Sequence, residues 1–278
     1  MAPVRRLVIK CILLTLLVIL ILWAVLPFFW MVSTSFKTTE ETYTVPLVWI
    51  PRYPTIKNFL YVVKRAPFLT YFRNSVVVAV STTVIAIILA SLAGYSFSRF
   101  KFLGGHSLFL IFLITQMFPG ALLIIPLFQI IKALKLLNTL YALVLSYITF
   151  SLPLCTWLMK GFFDQIPQEL EEAAMIDGCS RVSAMVRVIF PLALPGVMAA
   201  SIFSFIGAWD EFIFALIFTS TDKVRTLPVG LQRFITSYEI YWNHLGAASV
   251  LTTIPVVILF LFIQRHMVKG LTAGSVKG

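Results

Sequence analysis

The sequence contains few charged residues for its length. Asp, Glu, Lys and Arg make up 12% of the 278 residues, whereas hydrophobic residues make up 60%. An ordinary soluble domain has about 25% charged residues. A chain of this composition is too apolar to fold as a water-soluble globule and too long to be one buried helix. The sequence therefore predicts an integral membrane protein.

Acidic residues are the scarcer of the two charge classes. The 22 Lys and Arg residues outnumber the 11 Asp and Glu residues, which gives a formal net charge of +11. The basic residues are scattered over many loops and form no run of the kind that binds nucleic acid. Scattered bases between apolar segments favour contact with anionic membrane lipid, so no nucleic-acid partner is expected.

Residues that often carry catalysis or metal binding are also few and dispersed. None has the spacing of a disulfide framework or a metal site. No Gly-Lys pair occurs in the chain, so the phosphate-binding Gly-Lys-Ser/Thr motif is absent. We therefore expect no metal site, no bound cofactor, no ATPase activity and no intramembrane catalytic centre. The cysteines and histidines in question are Cys11, Cys155, Cys179, His106, His244 and His266.

Long apolar runs are what the sequence has in abundance. A helix needs about 20 apolar residues to cross a bilayer, and the runs predict an all-α polytopic membrane protein with six transmembrane helices. We expect one transmembrane domain over residues 1–278, with a long loop at 164–195 and a polar tail at 264–278. The predicted spans cover residues 11–32, 72–97, 106–131, 140–162, 196–218 and 248–263, of which the last five form a core over 72–263.

Small residues recur every fourth position in the second predicted span. This spacing places them on one helical face, where they allow a neighbouring helix to approach closely. The pattern predicts tight packing but does not identify the partner helix. The residues are Thr82, Ala86, Ala90, Gly94 and Ser98.

Two spans carry features of a substrate pathway. Pro119, Gly120 and Pro126 interrupt the third span around the polar Gln116, and broken helices at membrane depth are tolerated where they line a cavity or pack on neighbours. Trp209, Asp210 and Glu211 lie within the fifth predicted span, roughly 21 Å from its start at 1.5 Å per residue. Intramembrane acids mark a functional site or a buried pair. Alternatively, the span ends earlier and these acids are interfacial and solvated.

The loop at 164–195 predicts two helices joined by a sharp turn. Pro167 suits a first helical turn, and the good helix formers that follow it extend to Asp177. Gly178 can adopt the left-handed conformation that ends a helix. Ser180 is a candidate cap for a second helix over 181–189, which Pro191 closes.

This loop resembles the signature loop of ATP-binding-cassette importer permeases, E-A-A-x-x-D-G-A followed by I-x-L-P. Cys179, Val188 and Phe190 stand where Ala, Ile and Leu are usual. The C-terminal run QRHMVKGLTAGSVKG is similar to the tail of the second permease subunit of maltose, maltodextrin and trehalose importers. The matching loop positions are Glu172, Ala173, Ala174, Asp177, Gly178 and Pro191.

The resemblance implies a role for each segment. In that family the loop is a coupling helix that docks into a groove of a cytoplasmic ATPase subunit, where its Glu pairs with a basic residue. The tail reaches toward the interface between two ATPase subunits. The tail residues that would take this role begin at Leu271, Thr272, Ala273, Gly274 and Ser275.

The resemblance also implies partners and orientation. We expect a second homologous permease subunit, an ATPase dimer that binds ATP and Mg, and an extracytoplasmic sugar-binding protein. Basic residues divide evenly between the two sides of the predicted topology, so the positive-inside rule does not decide the orientation. Because ATP is cytoplasmic, the resemblance places both termini in the cytoplasm, in the inner membrane of a prokaryote.

The expected cargo is a carbohydrate such as maltose, maltodextrin or trehalose. The first alternative is another sugar of the same importer family, such as a glycerol phosphate or another oligosaccharide. The second is an ion-coupled secondary transporter, for which buried acids on several spans and repeated halves would be expected. Only Asp210 and Glu211 qualify as such acids, and no repeat is visible.

Overall fold

The computed structural model describes residues 2–65, 67–235 and 239–273. Within them the chain is helices and loops, with one isolated antiparallel bridge between Ile235 and Ile240. The α-helices are α1 (Ala2–Ser35), α2 (Thr39–Thr42), α3 (Lys57–Arg65), α4 (Phe68–Arg99), α5 (Gly105–Ile114), α6 (Ile124–Ala133), α7 (Leu140–Asp164), α8 (Gln168–Ile176), α9 (Arg181–Ala184), α10 (Phe190–Leu192), α11 (Leu194–Trp209), α12 (Ile213–Phe218), α13 (Leu227–Leu231) and α14 (Trp242–Ala273). Short 3₁₀ turns lie at Thr115–Met117, Gly120–Leu123 and Gln232–Phe234, and a π turn lies at Met185–Ile189.

Helices long and apolar enough to cross a membrane follow the predicted order. Among the described residues there are four such helices and two bent pairs, which makes six spans if each pair crosses once. The all-α polytopic fold is thereby confirmed. The helices are Arg6–Ser35, Phe68–Arg99, Leu140–Asp164 and Trp242–Phe262; the pairs are Gly105–Met117 with Gly120–Ala133, bent by 95°, and Arg181–Leu192 with Leu194–Trp209, bent by 77°.

The fifth span differs from its predicted limits of 196–218. Helix α11 ends at Trp209, and a separate short helix, α12, begins at Ile213. The Glu211 carboxylate accepts hydrogen bonds from the N–H groups of Phe214 (2.8 Å) and Ala215 (3.0 Å). These are the otherwise unpaired donors of a helix N-terminus, so the side chain at 211 starts a new helix instead of continuing the old one. The prediction that both acids lie inside the fifth helix was wrong.

The chain divides into two compact units. The first comprises Met1–Phe68 and Leu231–Ile254, and the second comprises Leu69–Gly230 and Pro255–Gly278. The single permease domain over 1–278 stays a prediction.

The core of the second unit depends on close helix packing. Thr82, Ala86 and Ala90 are fully buried. A β-carbon added at Gly94 would lie 2.9 Å from the backbone nitrogen of Lys160 and 3.0 Å from Cβ of Met159. At Gly94 the small-residue face of α4 therefore packs closely against α7, which confirms the predicted close approach at that position and identifies its partner helix.

The first unit is organised by buried amide side chains. Asn58 Nδ2 donates to the carbonyl oxygens of Ser35 and Lys37, both at 2.8 Å. Asn243 Nδ2 donates to Asn58 Oδ1 at 3.0 Å. These bonds connect the chain that leaves α1 to α3 and to the start of α14, and they satisfy backbone carbonyls that would otherwise be buried without partners.

Candidate functional site: the loop between the fourth and fifth spans

Helix α8 ends in a motif that the glycine makes possible. The N–H of Cys179 donates to the Ala174 carbonyl at 3.0 Å, and the N–H of Gly178 donates to the Met175 carbonyl at 3.1 Å. Gly178 has φ of +89°, a conformation that costs an L side chain about 1–2 kcal/mol. This is the Schellman arrangement, and the predicted glycine turn is where the structure places it.

The second half of the loop is helical for longer than predicted. The Ser180 hydroxyl accepts from the N–H of Ser183 at 3.3 Å and caps α9. The helix then widens into a π turn and continues as α10 through Pro191 to Leu192. Proline is tolerated here because it lies in the first turn of α10. The predicted end of this helix before Pro191 was therefore too early.

A buried ion pair anchors α8 to the end of α4. Glu171 is 4% exposed, and its Oε2 lies 3.1 Å from Nε of Arg99. The Tyr95 hydroxyl donates to Glu171 Oε1, and Arg99 Nη2 donates to the Ile166 carbonyl at 2.9 Å. Arg181, whose side chain is half exposed, lies 3.7 Å from the same carboxylate. The Glu171 carboxylate thus connects α8 to the end of α4 and to the start of α9.

The opposite face of α8 is open. Glu172, Ala173 and Asp177 are exposed, and Ile176 is 86% exposed. Ala174 is buried, and the open surface is flat because Ala173 projects only a methyl group. Three of the six matched positions lie on one outward surface together with Ile176. We call this surface the α8 face: Glu172, Ala173, Ile176 and Asp177.

Sequence reasoning missed the anchor. The sequence predicted no contact between Glu171 and Arg99. Successive helical residues lie about 100° apart, because the helix has 3.6 residues per turn, so adjacent acids face different surroundings. Two features of the sequence could have indicated the anchor: the adjacent acids Glu171 and Glu172, and Arg99 at the end of a span.

The predicted pathway residues occupy different environments. Trp209 is 1% exposed, with its ring stacked on Phe205 at 5.5 Å and edge-on to Phe72 at 6.0 Å. Gln116 is exposed, and its Nε2 donates to the Phe150 carbonyl at 2.7 Å. In this conformation the indole faces are covered by protein. A pathway role for these residues stays a prediction.

The two acids after α11 also differ from each other. Asp210 is exposed, whereas Glu211 caps α12 and accepts a hydrogen bond from the Tyr147 hydroxyl. Glu211 lines a cavity of about 250 Å³, and Tyr147, Phe150 and Ser151 also line it. The carbonyl that holds Gln116 belongs to this Phe150, so the structure brings Gln116 and Glu211 to the same part of the second unit.

The predicted tail contacts fall at the edge of the described chain. Leu271, Thr272 and Ala273 are the last residues of α14. Gly274 and Ser275 lie outside the described residues. Within residues 2–65, 67–235 and 239–273, no group of three or more His, Cys, Asp or Glu side chains could hold a metal ion.

Among the described residues the chain thus has up to six apolar spans and, before α11, a helical loop in which Glu171 is held inward and Glu172 is exposed. Residues 83–273 match the family described as binding-protein-dependent transport system inner membrane component. The chain belongs to this family.

Relatives and solved structures agree with that assignment. The chain is 40% identical over 260 residues to the sulfoquinovosyl glycerol transport system permease protein SmoH of Agrobacterium fabrum, covering 94% of this chain and 91% of that protein. It is 39% identical over 255 residues to the trehalose/maltose transport system permease protein MalG of Thermococcus litoralis, covering 91% of each. A crystal structure of a bacterial ABC transporter that imports the acidic polysaccharide alginate contains a chain with the same fold, with a TM-score of 0.81, 22% identity and coverage of 93% of this chain and 96% of that one.

Proposed function

We propose that this chain is one of two transmembrane subunits of an ATP-binding-cassette importer that carries a carbohydrate across the inner membrane of a prokaryote. The single observation that carries the proposal is that two adjacent acids of α8 lie in different surroundings. Glu171 is held inward by Arg99 at 3.1 Å, while the neighbouring Glu172 remains exposed at a matched signature position. Family membership and the relatives that transport sugars support the same conclusion.

The α8 face is the proposed docking surface for a cytoplasmic ATPase subunit. It offers an acid at each end, a flat centre at Ala173, and the apolar Ile176, which is 86% exposed. Glu172 would pair with a basic residue of the ATPase. ATP and Mg would be bound by that subunit, because the chain has no Gly-Lys pair for a phosphate-binding loop. This chain would then be a translocation subunit and not itself an enzyme.

The anchor would transmit motion from the ATPase to the spans. Because Glu171 contacts Arg99 at the end of α4 and Arg99 also binds the Ile166 carbonyl, a displacement of α8 would be passed to α4 and to the connection after α7. Docking from the ATP side requires that this loop and both termini face the cytoplasm. The tail from Leu271 onward is proposed to reach the ATPase interface.

The remaining partners are a second homologous permease and an extracytoplasmic sugar-binding protein. One solved relative is an alginate transporter in complex with a pentasaccharide-bound periplasmic protein, at a TM-score of 0.69 and 11% identity. For the cargo we propose maltose, maltodextrin or trehalose first, by similarity to the trehalose/maltose permease. Relatives for sulfoquinovosyl glycerol and diacetylchitobiose make another glycoside or oligosaccharide the alternative.

The docking role can be tested by reversing the outward charge. Glu172→Lys should reduce sugar uptake by at least about tenfold, a loss of at least about 1.4 kcal/mol in coupling, while the protein still inserts into the membrane. Stimulation of ATPase activity by the sugar-loaded binding protein should fall with it. The measurements are uptake into vesicles and ATPase activity of the reconstituted importer.

The matched control is Glu40→Lys, the same charge reversal at an exposed residue of α2 in the first unit. It should leave uptake near the wild-type value. Wild-type uptake in Glu172→Lys would contradict the docking assignment. A separate screen for sugars that stimulate the ATPase activity identifies the cargo. Sugar uptake that is driven by an ion gradient in the absence of ATP would favour a secondary transporter instead.

A further inference from the structure

A charged cavity lies in the first unit, just beyond the end of α1. Lys37 is 1% exposed, and its backbone is fixed because its carbonyl accepts a hydrogen bond from Asn58 Nδ2 at 2.8 Å. The Lys37 ammonium lies 3.8 Å from the ring centroid of Trp30. The lysine is therefore folded back over the last turns of a membrane span, where its side chain cannot reach bulk water.

The Lys37 ammonium contacts the Trp30 ring and forms no ion pair among the described residues. A cation over an aromatic face is attracted to the ring. An ammonium has three hydrogen-bond donors, however, and burying it without an anionic partner is unfavourable. Burial lowers the pKa of Lys37, and the nearby Glu41 opposes that shift.

Among the described residues, the Glu41 carboxylate is hydrogen-bonded through only one of its two oxygens. Its Oε1 accepts from the N–H groups of Arg52 (2.9 Å) and Tyr53 (3.2 Å). Its Oε2 is buried and has no partner among the described residues, and the same is true of Thr34 Oγ1. In the part of the chain that the structure describes, one buried cation and one buried carboxylate oxygen thus both lack a partner of opposite charge, although they are not close enough to pair with each other.

Both groups line one cavity of about 240 Å³, whose walls include Trp30, Thr34 and Trp242. That volume holds about eight waters at about 30 Å³ each. The cavity lies at the end of a 30-residue apolar helix, Arg6–Ser35, of which none of the span window is buried within the chain. Tryptophans at this level of a membrane protein mark the headgroup region.

We propose that this cavity binds the headgroup of a phospholipid that carries a primary ammonium group, as ethanolamine lipids do. The phosphate accepts hydrogen bonds from Lys37, and the ammonium donates to Glu41 Oε2 and lies against the Trp242 ring. Each unpaired group then gains a partner of opposite charge. An anionic headgroup without an amine would leave Glu41 unpaired, and a quaternary amine has no N–H to donate.

A headgroup fits better than a soluble sugar because the cavity adjoins an apolar surface that acyl chains can cover. A sugar ring would also supply hydroxyl groups to Lys37 and Glu41, but it would gain nothing from the exposed flank of α1. The proposal depends on the membrane assignment and does not depend on the docking role of α8.

The test uses the full importer, purified and exchanged into detergent with defined phospholipid. We expect the wild type to retain phosphatidylethanolamine through detergent washing at least tenfold more than phosphatidylglycerol or phosphatidylcholine, as measured by native mass spectrometry. Lys37→Met should lower this retention about tenfold, and Glu41→Gln should remove the preference for ethanolamine. The matched control is Lys57→Met, which removes a charge from an exposed position of α3.

Thermal unfolding separates a binding defect from a folding defect. Added phosphatidylethanolamine should raise the Tm of the wild type and of Lys57→Met, but not that of Lys37→Met. The proposal is overturned if the wild type retains the three lipids equally, or if Lys37→Met retains phosphatidylethanolamine at the wild-type level. It is also overturned if a soluble sugar, in the absence of lipid, raises the Tm of the wild type but not of Lys37→Met, which would assign the cavity to sugar.

Discussion

The loop after the fourth span and the break after α11 each contain two adjacent acids. In each pair, one acid is held by the protein and the other is exposed. In the loop, Glu171 is buried and Glu172 is exposed; after α11, Glu211 is bonded and Asp210 is exposed. A tyrosine hydroxyl donates to each inward carboxylate, Tyr95 to the first and Tyr147 to the second. In both places one acid stabilises the structure and its neighbour remains available.

The two inward acids differ in what balances their charge. Glu171 faces the Arg99 guanidinium at 3.1 Å, with Arg181 nearby. Glu211 has no ion pair among the described residues and is balanced by two backbone N–H groups at 2.8 and 3.0 Å. A helix N-terminus carries only about half a positive charge. We therefore expect the loop anchor to be the costlier of the two to break, and the cap to be the more tolerant.

The largest effect should follow loss of the cation at the loop anchor. Arg99→Ala breaks the buried ion pair and leaves only the half-exposed Arg181, 3.7 Å away, to balance the Glu171 carboxylate; breaking a buried pair typically costs about 3–5 kcal/mol. The variant should unfold at a markedly lower temperature in detergent and lose coupled ATPase activity. The matched control is Arg187→Ala, because Arg187 is an exposed arginine of the same loop.

A second variant separates charge balance from packing. Arg99→Met combined with Glu171→Met removes both charges and keeps most of the volume, so it should recover much of the stability lost in Arg99→Ala. If both Arg99→Ala and Arg187→Ala unfold at the wild-type temperature, the ion pair does not hold α8 in place.

A smaller effect is expected at the cap of α12. Glu211→Ala removes a helix cap, worth about 0.5–2 kcal/mol, and leaves the Tyr147 hydroxyl without its acceptor. We expect a loss of about 2 kcal/mol in the free energy of unfolding. The neighbouring Asp210→Ala should change that free energy by less than about 0.5 kcal/mol, as exposed substitutions usually do. Equal losses in the two variants would contradict the assignment of the cap to Glu211.

The features that could be predicted from sequence depend on local backbone chemistry or on a repeating pattern. Gly178 was predicted to end a helix because glycine readily adopts the left-handed conformation, and its φ of +89° agrees. The small-residue face of α4 was predicted from its period of four. The break at 119–120 followed from Pro119 and Gly120. Each signal lies within a single helix or turn and requires no residue from a distant part of the chain.

The features that were missed depend on residues far apart in the chain. Arg99 meets Glu171 across 72 positions, and Tyr147 meets Glu211 across 64. Hydropathy alone extended the fifth span to 218, because the residues around Asp210 and Glu211 are apolar on both sides. The Glu211 carboxylate caps α12 and also accepts a hydrogen bond from Tyr147, and hydropathy does not indicate either contact.

The smallest expected effect concerns the backbone conformation of the residues that follow α8 and α11. The turn after α8 contains the left-handed Gly178, whereas α11 is followed by Asp210, whose φ of −88° suits any residue. Gly178→Ala should therefore cost about 1–2 kcal/mol from backbone strain, even though nothing lies within 4 Å of the added β-carbon. The control is Gly161→Ala within α7, which also has open space and no positive φ, and which should be neutral or stabilising by up to about 1 kcal/mol. If the two alanines have the same effect on thermal unfolding, the turn is not what fixes the end of α8; if only Gly178→Ala destabilises, the strain lies in the backbone and the direction of the α8 face depends on it.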